Sequence, residues 1–170
     1  RRAARAEIMP RFRALAPGDI ATKSRPDDLV TAADTAAEAM ITRALQQAFP
    51  SALVVGEEAV HADPGLLDRI AEAPLAFILD PVDGTWNFAQ GLAVFGVILA
   101  VTRFGRPAFG LIYDPVAEDW VIAESDGAAR IERPSGAGRP LKAAMGKQVE
   151  SLTGFLPLHL FEQRHRAAVA

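Results

Sequence analysis

Between Thr35 and Phe49 the apolar residues Ala36, Ala39, Met40, Ala44, Leu45 and Ala48 recur at three- and four-residue intervals. That is the period of a helix burying one face. Asp34 stands just before the run, where a side-chain oxygen can cap free backbone amides, and Pro50 ends it. Residues 1–15 predict an earlier amphipathic helix, offset or broken at Pro10 and stopped by Pro17-Gly18-Asp19. The polar stretch Lys23 to Asp28 predicts a loop, since Pro26 holds Arg25 extended. The period then changes. Ala52–Val55, Leu75–Leu79, Ala93–Thr102, Ala108–Tyr113 and Trp120–Ala123 are short apolar runs bounded by Gly, Pro and Asp, the pattern of strands. The brief links Arg103–Pro107 and Asp114–Asp119 favour antiparallel hairpins. Helices followed by a meander predict an α+β fold, with helices packed on a mainly antiparallel sheet. In the tail, Val149–Leu160 suits a strand and Leu160–Ala170 the start of a helix.

Composition narrows the class. A chain of 170 residues that is 50% hydrophobic can bury a core as one domain, or as one domain and part of another. Eighteen Lys and Arg against twenty-one Asp and Glu leave a net charge of −3. No basic stripe with interleaved aromatics is present, which argues against nucleic acid as a partner. The absence of cysteine excludes a disulfide scaffold and fits a cytoplasmic chain. The longest apolar stretch, Leu92 to Val101, is too short to span a bilayer, so no membrane partner is expected. The arginines at positions 1, 2, 5, 11 and 13 could mimic a transit peptide, but a plain amphipathic helix accounts for them better.

The chemistry concentrates in Asp80-Pro-Val-Asp-Gly-Thr85, directly after an apolar run. A strand there delivers two carboxylates, three residues apart, into a turn stiffened by Pro81 and released by Gly84. Both carboxylates and the Val82 carbonyl can face one point, and hard oxygen donors so arranged suit Mg²⁺. A short helix opening at Thr85 would aim the Gly84 and Thr85 amides at the same place, as an anion site. The same residues also suit an ordinary surface turn. An EF-hand calcium loop is excluded, because its later ligand positions are Val82, Gly84 and Gly91. A haloacid-dehalogenase-type phosphatase is disfavoured, since its two acids lie two apart and here they lie three apart with Pro81 between.

Three segments in order point further. Lys23-Ser-Arg-Pro-Asp-Asp-Leu-Val-Thr-Ala-Ala-Asp34 resembles the lysine loop of the inositol monophosphatase family. Gly56-Glu57-Glu58 resembles its Gly-Glu-Glu, and Asp80-Pro-Val-Asp-Gly-Thr-Trp-Asn-Phe88 its Asp-Pro-Ile-Asp-Gly-Thr-x-Asn-Phe signature. The resemblance implies a layered α/β/α sandwich and Mg²⁺-dependent, lithium-sensitive hydrolysis of a small sugar or polyol phosphate by a metal-activated water. It implies two or three Mg²⁺ ions. Glu57, Asp80 and the Val82 carbonyl would hold one, Asp80 and Asp83 a second, and Glu57 a third through water. Asp34 and Thr85 would orient the attacking water, and Lys23 would lie near the phosphate. Asp83, Gly84 and Thr85 would contact substrate. A homodimer is implied in the same way. His61, His159 and His165 match no family position.

The resemblance stops short of the whole family pattern. The downstream Trp-Asp-x-Ala motif that completes its second metal site is absent, because Trp86 belongs to the signature and Trp120 precedes Val121. The chain therefore reads as the N-terminal helix-plus-sheet portion, running into the start of the second half after about residue 140. Its far sheet face is expected to be apolar and uncovered, and its own turnover slow or nil. Within the family, inositol monophosphate or a similar ester is the leading substrate. Fructose bisphosphate, histidinol phosphate, NADP and adenosine bisphosphate are alternatives, and a non-catalytic binding relative is the reading from another class.

Overall fold

The computed structural model describes residues 1–136, 138–143, 146, 148, 151, 153, 161 and 163–165. The chain opens with a helix whose Ala4–Ile8 portion is a π-helix, burying Ala4 and Ile8. It ends before Pro10, which has no N–H to continue it, and Arg11 and Phe12 close the turn by donating to the Ile8 carbonyl. The helix thus breaks at Pro10 as expected and does not resume over 11–15, and its arginines lie outward, as the amphipathic reading requires. Arg1 and Arg5 both pair with Glu118.

A two-strand hairpin follows, β1 (Ile20–Thr22) and β2 (Leu29–Thr31), around the polar loop that holds Lys23. Helix α1 spans Ala32–Ala48, and its cap is Thr31 rather than Asp34. The Thr31 hydroxyl accepts from the Ala33 amide, while Asp34, inside the first turn, accepts from the Thr31 amide at 2.9 Å. This reciprocal pair is a capping box, and it moves the helix start three residues upstream of the apolar run.

Among the described residues, seven strands form one sheet in the order β3-β4-β5-β6-β7-β8-β9. They are β3 (Leu53–Gly56), β4 (Ala76–Asp83), β5 (Gly96–Arg103), β6 (Arg106–Asp114), β7 (Asp119–Glu124), β8 (Arg130–Glu132) and β9 (Arg139–Pro140). The hairpins β5–β6 and β6–β7 are antiparallel, as their short links require. One pair departs from the expected pattern: β3 runs parallel to β4. Parallel neighbours need a crossover, here supplied by α2 (Glu57–Ala62) and a 3₁₀ segment, Pro64–Arg69. The strand expected over Val149–Leu160 lies almost wholly outside the described residues; of the helix expected over Leu160–Ala170, residues 163–165 are helical.

The core lies between the sheet and the helices. Leu79, Val97, Leu99, Leu111, Tyr113 and Trp120 face α1 and the N-terminal helix, joined by Val82 and Phe88. On the opposite face Ile98, Ile112, Val121 and Ile131 stand partner to partner across four strands, with Ile112 half exposed. That is the apolar row expected of the far face. Helix α3 (Thr85–Ala89) is anchored by Phe88, fully buried with its ring 5.6 Å from Phe12 and 5.0 Å from Phe95. Trp86, two residues earlier, is 48% exposed. Phe88→Ala should cost about 3–5 kcal/mol. Urea denaturation measures this, and a loss under about 1 kcal/mol would mean that the aromatic cluster does not anchor α3.

Candidate metal and phosphate site

The parallel pairing of β3 with β4 ends at Gly56 and Leu79, and both candidate acidic segments begin just beyond it. Gly56 pairs with Leu79, so Glu57 and Asp80 stand one residue beyond a matched pair. Asp80 pairs with Ile98 and Asp83 with Gly96, so β4 holds one residue more than β5 between them. This bulge breaks the alternation of faces. It turns Val82 into the core, fully buried, and leaves Asp83 exposed.

The turn that follows is set by Gly84, whose φ of +96° is disfavoured for other residues. A Cβ there would also lie 2.9 Å from the Val94 carbonyl. Asn87 donates to that same carbonyl at 2.8 Å, which ties the start of α3 to the loop before β5. A pocket of about 460 Å³ opens beside Asp83 and Gly84, lined also by Asn87, Val94, Ile112 and Asp114. A second cavity, of about 580 Å³ and mostly apolar, lies between α1, the N-terminal helix and the sheet, and none of the candidate site residues lines it.

The acidic groups interact strongly. Burial, then the charges of Glu57 and Asp83, push the Asp80 carboxyl up to about 7, and a hydrogen bond with Glu57 acts in the same direction. The Val82 amide, donating to Asp80 Oδ1 at 3.1 Å, opposes the shift. The Glu57 side chain therefore stands beside Asp80 rather than pointing away from it. Glu57 and Glu58 share the Lys23 ammonium, at 2.8 and 2.6 Å, and the lysine side chain is only 5% exposed. Burial alone would lower the lysine's pKa, but hydrogen bonds and charge from the two glutamates outweigh it, so the ammonium is held more firmly than usual. The Glu58 carboxyl is raised by burial, against the pull of Lys23.

Asp34 reaches the same region from the first turn of α1. Oδ2 accepts from the Thr31 amide and hydroxyl, and Oδ1 lies 3.1 Å from Thr85 Oγ1. Thr85 Oγ1 is also 3.1 Å from the Val82 carbonyl, so its one proton satisfies a single acceptor at a time. Burial raises the Asp34 carboxyl, opposed by its bonds to Thr31 and Thr85.

The expected residues thus fall into linked groups: Lys23 with Glu57 and Glu58, Glu57 with Asp80 and Asp83, and Asp34 with Thr85 and Val82. The donor set is made of hard oxygens, and Asp80 relieves like-charge repulsion by holding a proton that a divalent cation would displace, so the residues fit Mg²⁺. Among the described residues, no three acidic or histidine side chains are already closed around one point. His61 and His165 are exposed; His159 lies outside the described residues. Sequence reasoning missed Glu38. It lies on α1 four residues after Asp34, only 7% exposed, and binds the first turn of α2. An acid recurring at helical spacing on the face of Ala33 and Ala37 was the available signal.

The profile of the inositol monophosphatase family matches residues 1–167. Nus factor SuhB of Pseudomonas aeruginosa is 32% identical over 160 residues, 91% of this chain and 55% of that protein. Extragenic suppressor protein SuhB of Bartonella henselae superposes with a TM-score of 0.67 at 26% identity, covering 98% of this chain and 63% of its own. An IMPase/NADP phosphatase complexed with Mg²⁺ and phosphate has a TM-score of 0.57 at 28% identity, over 65% of this chain and 40% of its own. The chain spans about a third to just over half the length of the curated relatives it matches. A profile match over nearly every residue, on a shared fold and with acids meeting at the ends of β3 and β4, places this chain in the inositol monophosphatase family.

Proposed function

We propose that the protein hydrolyses a small phosphate monoester with Mg²⁺, and that an inositol monophosphate or a similar polyol phosphate is its substrate. The observation that carries this reading is the crowding of Glu57 and Asp83 on Asp80, which raises its carboxyl to about 7. Glu57, Asp80, Asp83 and the Val82 carbonyl would hold the metal. When bound, Mg²⁺ supplies positive charge that acidifies water and offsets the charge of a phosphoryl group.

The chain's own groups do the rest. Asp34, held by its capping bonds, keeps the Thr85 hydroxyl oriented, and Thr85 can receive a water proton only by giving its own to Asp34. The raised carboxyl of Asp34 makes it a fitting acceptor. Lys23 holds Glu57 and Glu58 in place and keeps a fixed positive charge beside them. Gly84, at its positive φ, turns the chain into α3, and the Gly84 and Thr85 amides would donate to the phosphate. The pocket beside Asp83 and Gly84 is within the size range of small-molecule sites. One structural neighbour, the IMPase/NADP phosphatase, is complexed with Mg²⁺ and phosphate, which supports the choice of ion and ligand class.

Asp80→Asn in the full-length protein should lower Mg²⁺-dependent phosphate release at least about a hundredfold, since a bound ion contributes several kcal/mol to the barrier. Full activity in that variant would overturn the assignment, and a panel of phosphate esters would rank the substrates. Affinity for Mg²⁺ should also depend on pH. Asp80 keeps its proton up to about pH 7, so the ion must displace it below that value and binds freely above. Calorimetric titration should show binding about tenfold tighter at pH 8 than at pH 6, with proton release at the lower pH. Equal affinity at both would remove Asp80 from the ligand set. The same shift has a consequence for stability without metal. A carboxyl raised on folding favours the folded state at low pH and loses that contribution as pH rises through about 7. Metal-free protein should therefore melt lower at pH 8 than at pH 5.5, and Mg²⁺ should restore more at pH 8; a melting temperature that rises with pH would contradict this.

A further inference from the structure

Helix α2 is six residues long and carries Glu57 at its first position. So short a helix has little stability of its own, and its N-cap residue, Gly56, has no side chain with which to satisfy the first amides. The missing cap comes from α1. Glu38 Oε2 accepts from the Glu58 amide at 2.8 Å and Oε1 from the Ala59 amide at 3.0 Å. The carboxylate is buried, with Glu38 7% exposed. Gly56 has an ordinary φ of −95°, which any residue could adopt. Glycine is needed there for a different reason: a Cβ would collide with all three atoms of the Glu38 carboxyl.

We propose that Glu38 is a positioning residue for the acidic site, a buried carboxylate that clamps the first turn of α2 and so fixes Glu57 against Asp80. Both oxygens are committed to backbone amides, so Glu38 acts through Glu57. Its negative charge favours the helix N-terminus it caps. The clamp also fixes Glu58, whose amide it holds and whose side chain shares Lys23 with Glu57. Asp34 and Glu38, one turn apart on α1, thereby support Thr85 and Glu57 from a single rigid element. Such supporting contacts decide whether ligands are held closely enough to bind.

The inference rests on the Mg²⁺-phosphatase reading, and the experiment separates the two. In the full-length protein, phosphate release is measured against Mg²⁺ concentration for wild type, Glu38→Gln, Glu38→Ala, Gly56→Ala and the Glu38→Ala/Gly56→Ala double variant, each checked for folding by circular dichroism. Glu38→Gln keeps the shape but turns an amide group toward one backbone donor, and should raise the half-saturating Mg²⁺ at least about tenfold. Gly56→Ala should do the same by expelling the carboxylate. In the double variant the collision is gone, so it should be no worse than Glu38→Ala alone, a non-additivity that a general loss of stability would not produce. Unchanged Mg²⁺ dependence in Glu38→Gln, or additive losses in the double variant, would overturn the role of Glu38 while leaving the phosphatase reading intact. A wild-type protein with no Mg²⁺-dependent hydrolysis would overturn both.

Discussion

Like charge at the shared end of two parallel strands is the constraint on which the site depends. Glu57 follows β3 and Asp80 stands within β4, each one residue beyond the matched Gly56–Leu79 pair, and Asp83 ends β4 after a bulge. Carboxylates so placed, partly removed from water, repel one another, and the structure relieves the repulsion in two ways: Asp80 holds a proton to about pH 7, and a buried ammonium sits between Glu57 and Glu58. A fold seeking only stability would not gather these groups. Their cost is the observation on which the proposed cation and anion site rests.

The remaining architecture keeps that arrangement in register. Helix α1 is the common support, since its first turn carries Asp34 toward Thr85 and its second carries Glu38 toward α2. It packs through Ala33 and Ala37, both fully buried, and these small side chains let the helix lie close to the sheet. Beyond the end of β4, in the same core, Phe88 locks α3 into an aromatic cluster with Phe12 and Phe95, so the turn at Gly84 is anchored at both ends. A short turn between two fixed elements has little freedom to drift, which is what a metal or phosphate site requires.

Much of this is legible in the residues. The hairpins β5–β6 and β6–β7 follow from apolar runs separated by links too short for a crossover, and α1 from its helical period. The signature at Asp80–Phe88, with Gly56-Glu57-Glu58 and the lysine loop, points to the family, because glycine, proline and acids at set spacings reflect backbone geometry and ligand chemistry. Other features are hidden for physical reasons. The apolar run misplaces the start of α1 by three residues because Thr31 and Asp34 are both good cap formers, and only their reciprocal bonding shows which sits outside the helix. The parallel pairing of β3 with β4 is not visible, because a run of four apolar residues carries no sign of its partner's direction. Trp86 is the larger apolar surface, yet it is Phe88, two residues on, that faces the core.

The sequence by itself determined the chemical inventory and the local punctuation: which acids, which glycine, which turns, and a chain that alternates between helical and strand periods. These depend on interactions among near neighbours, which the order of residues records directly. Only the tertiary structure decided that Glu57 meets Asp80, that Lys23 pairs with both Glu57 and Glu58, and that Glu38 caps a helix twenty residues away. Those contacts join segments distant along the chain, and strand direction, register and helix packing set them together, so no local pattern encodes any one of them alone.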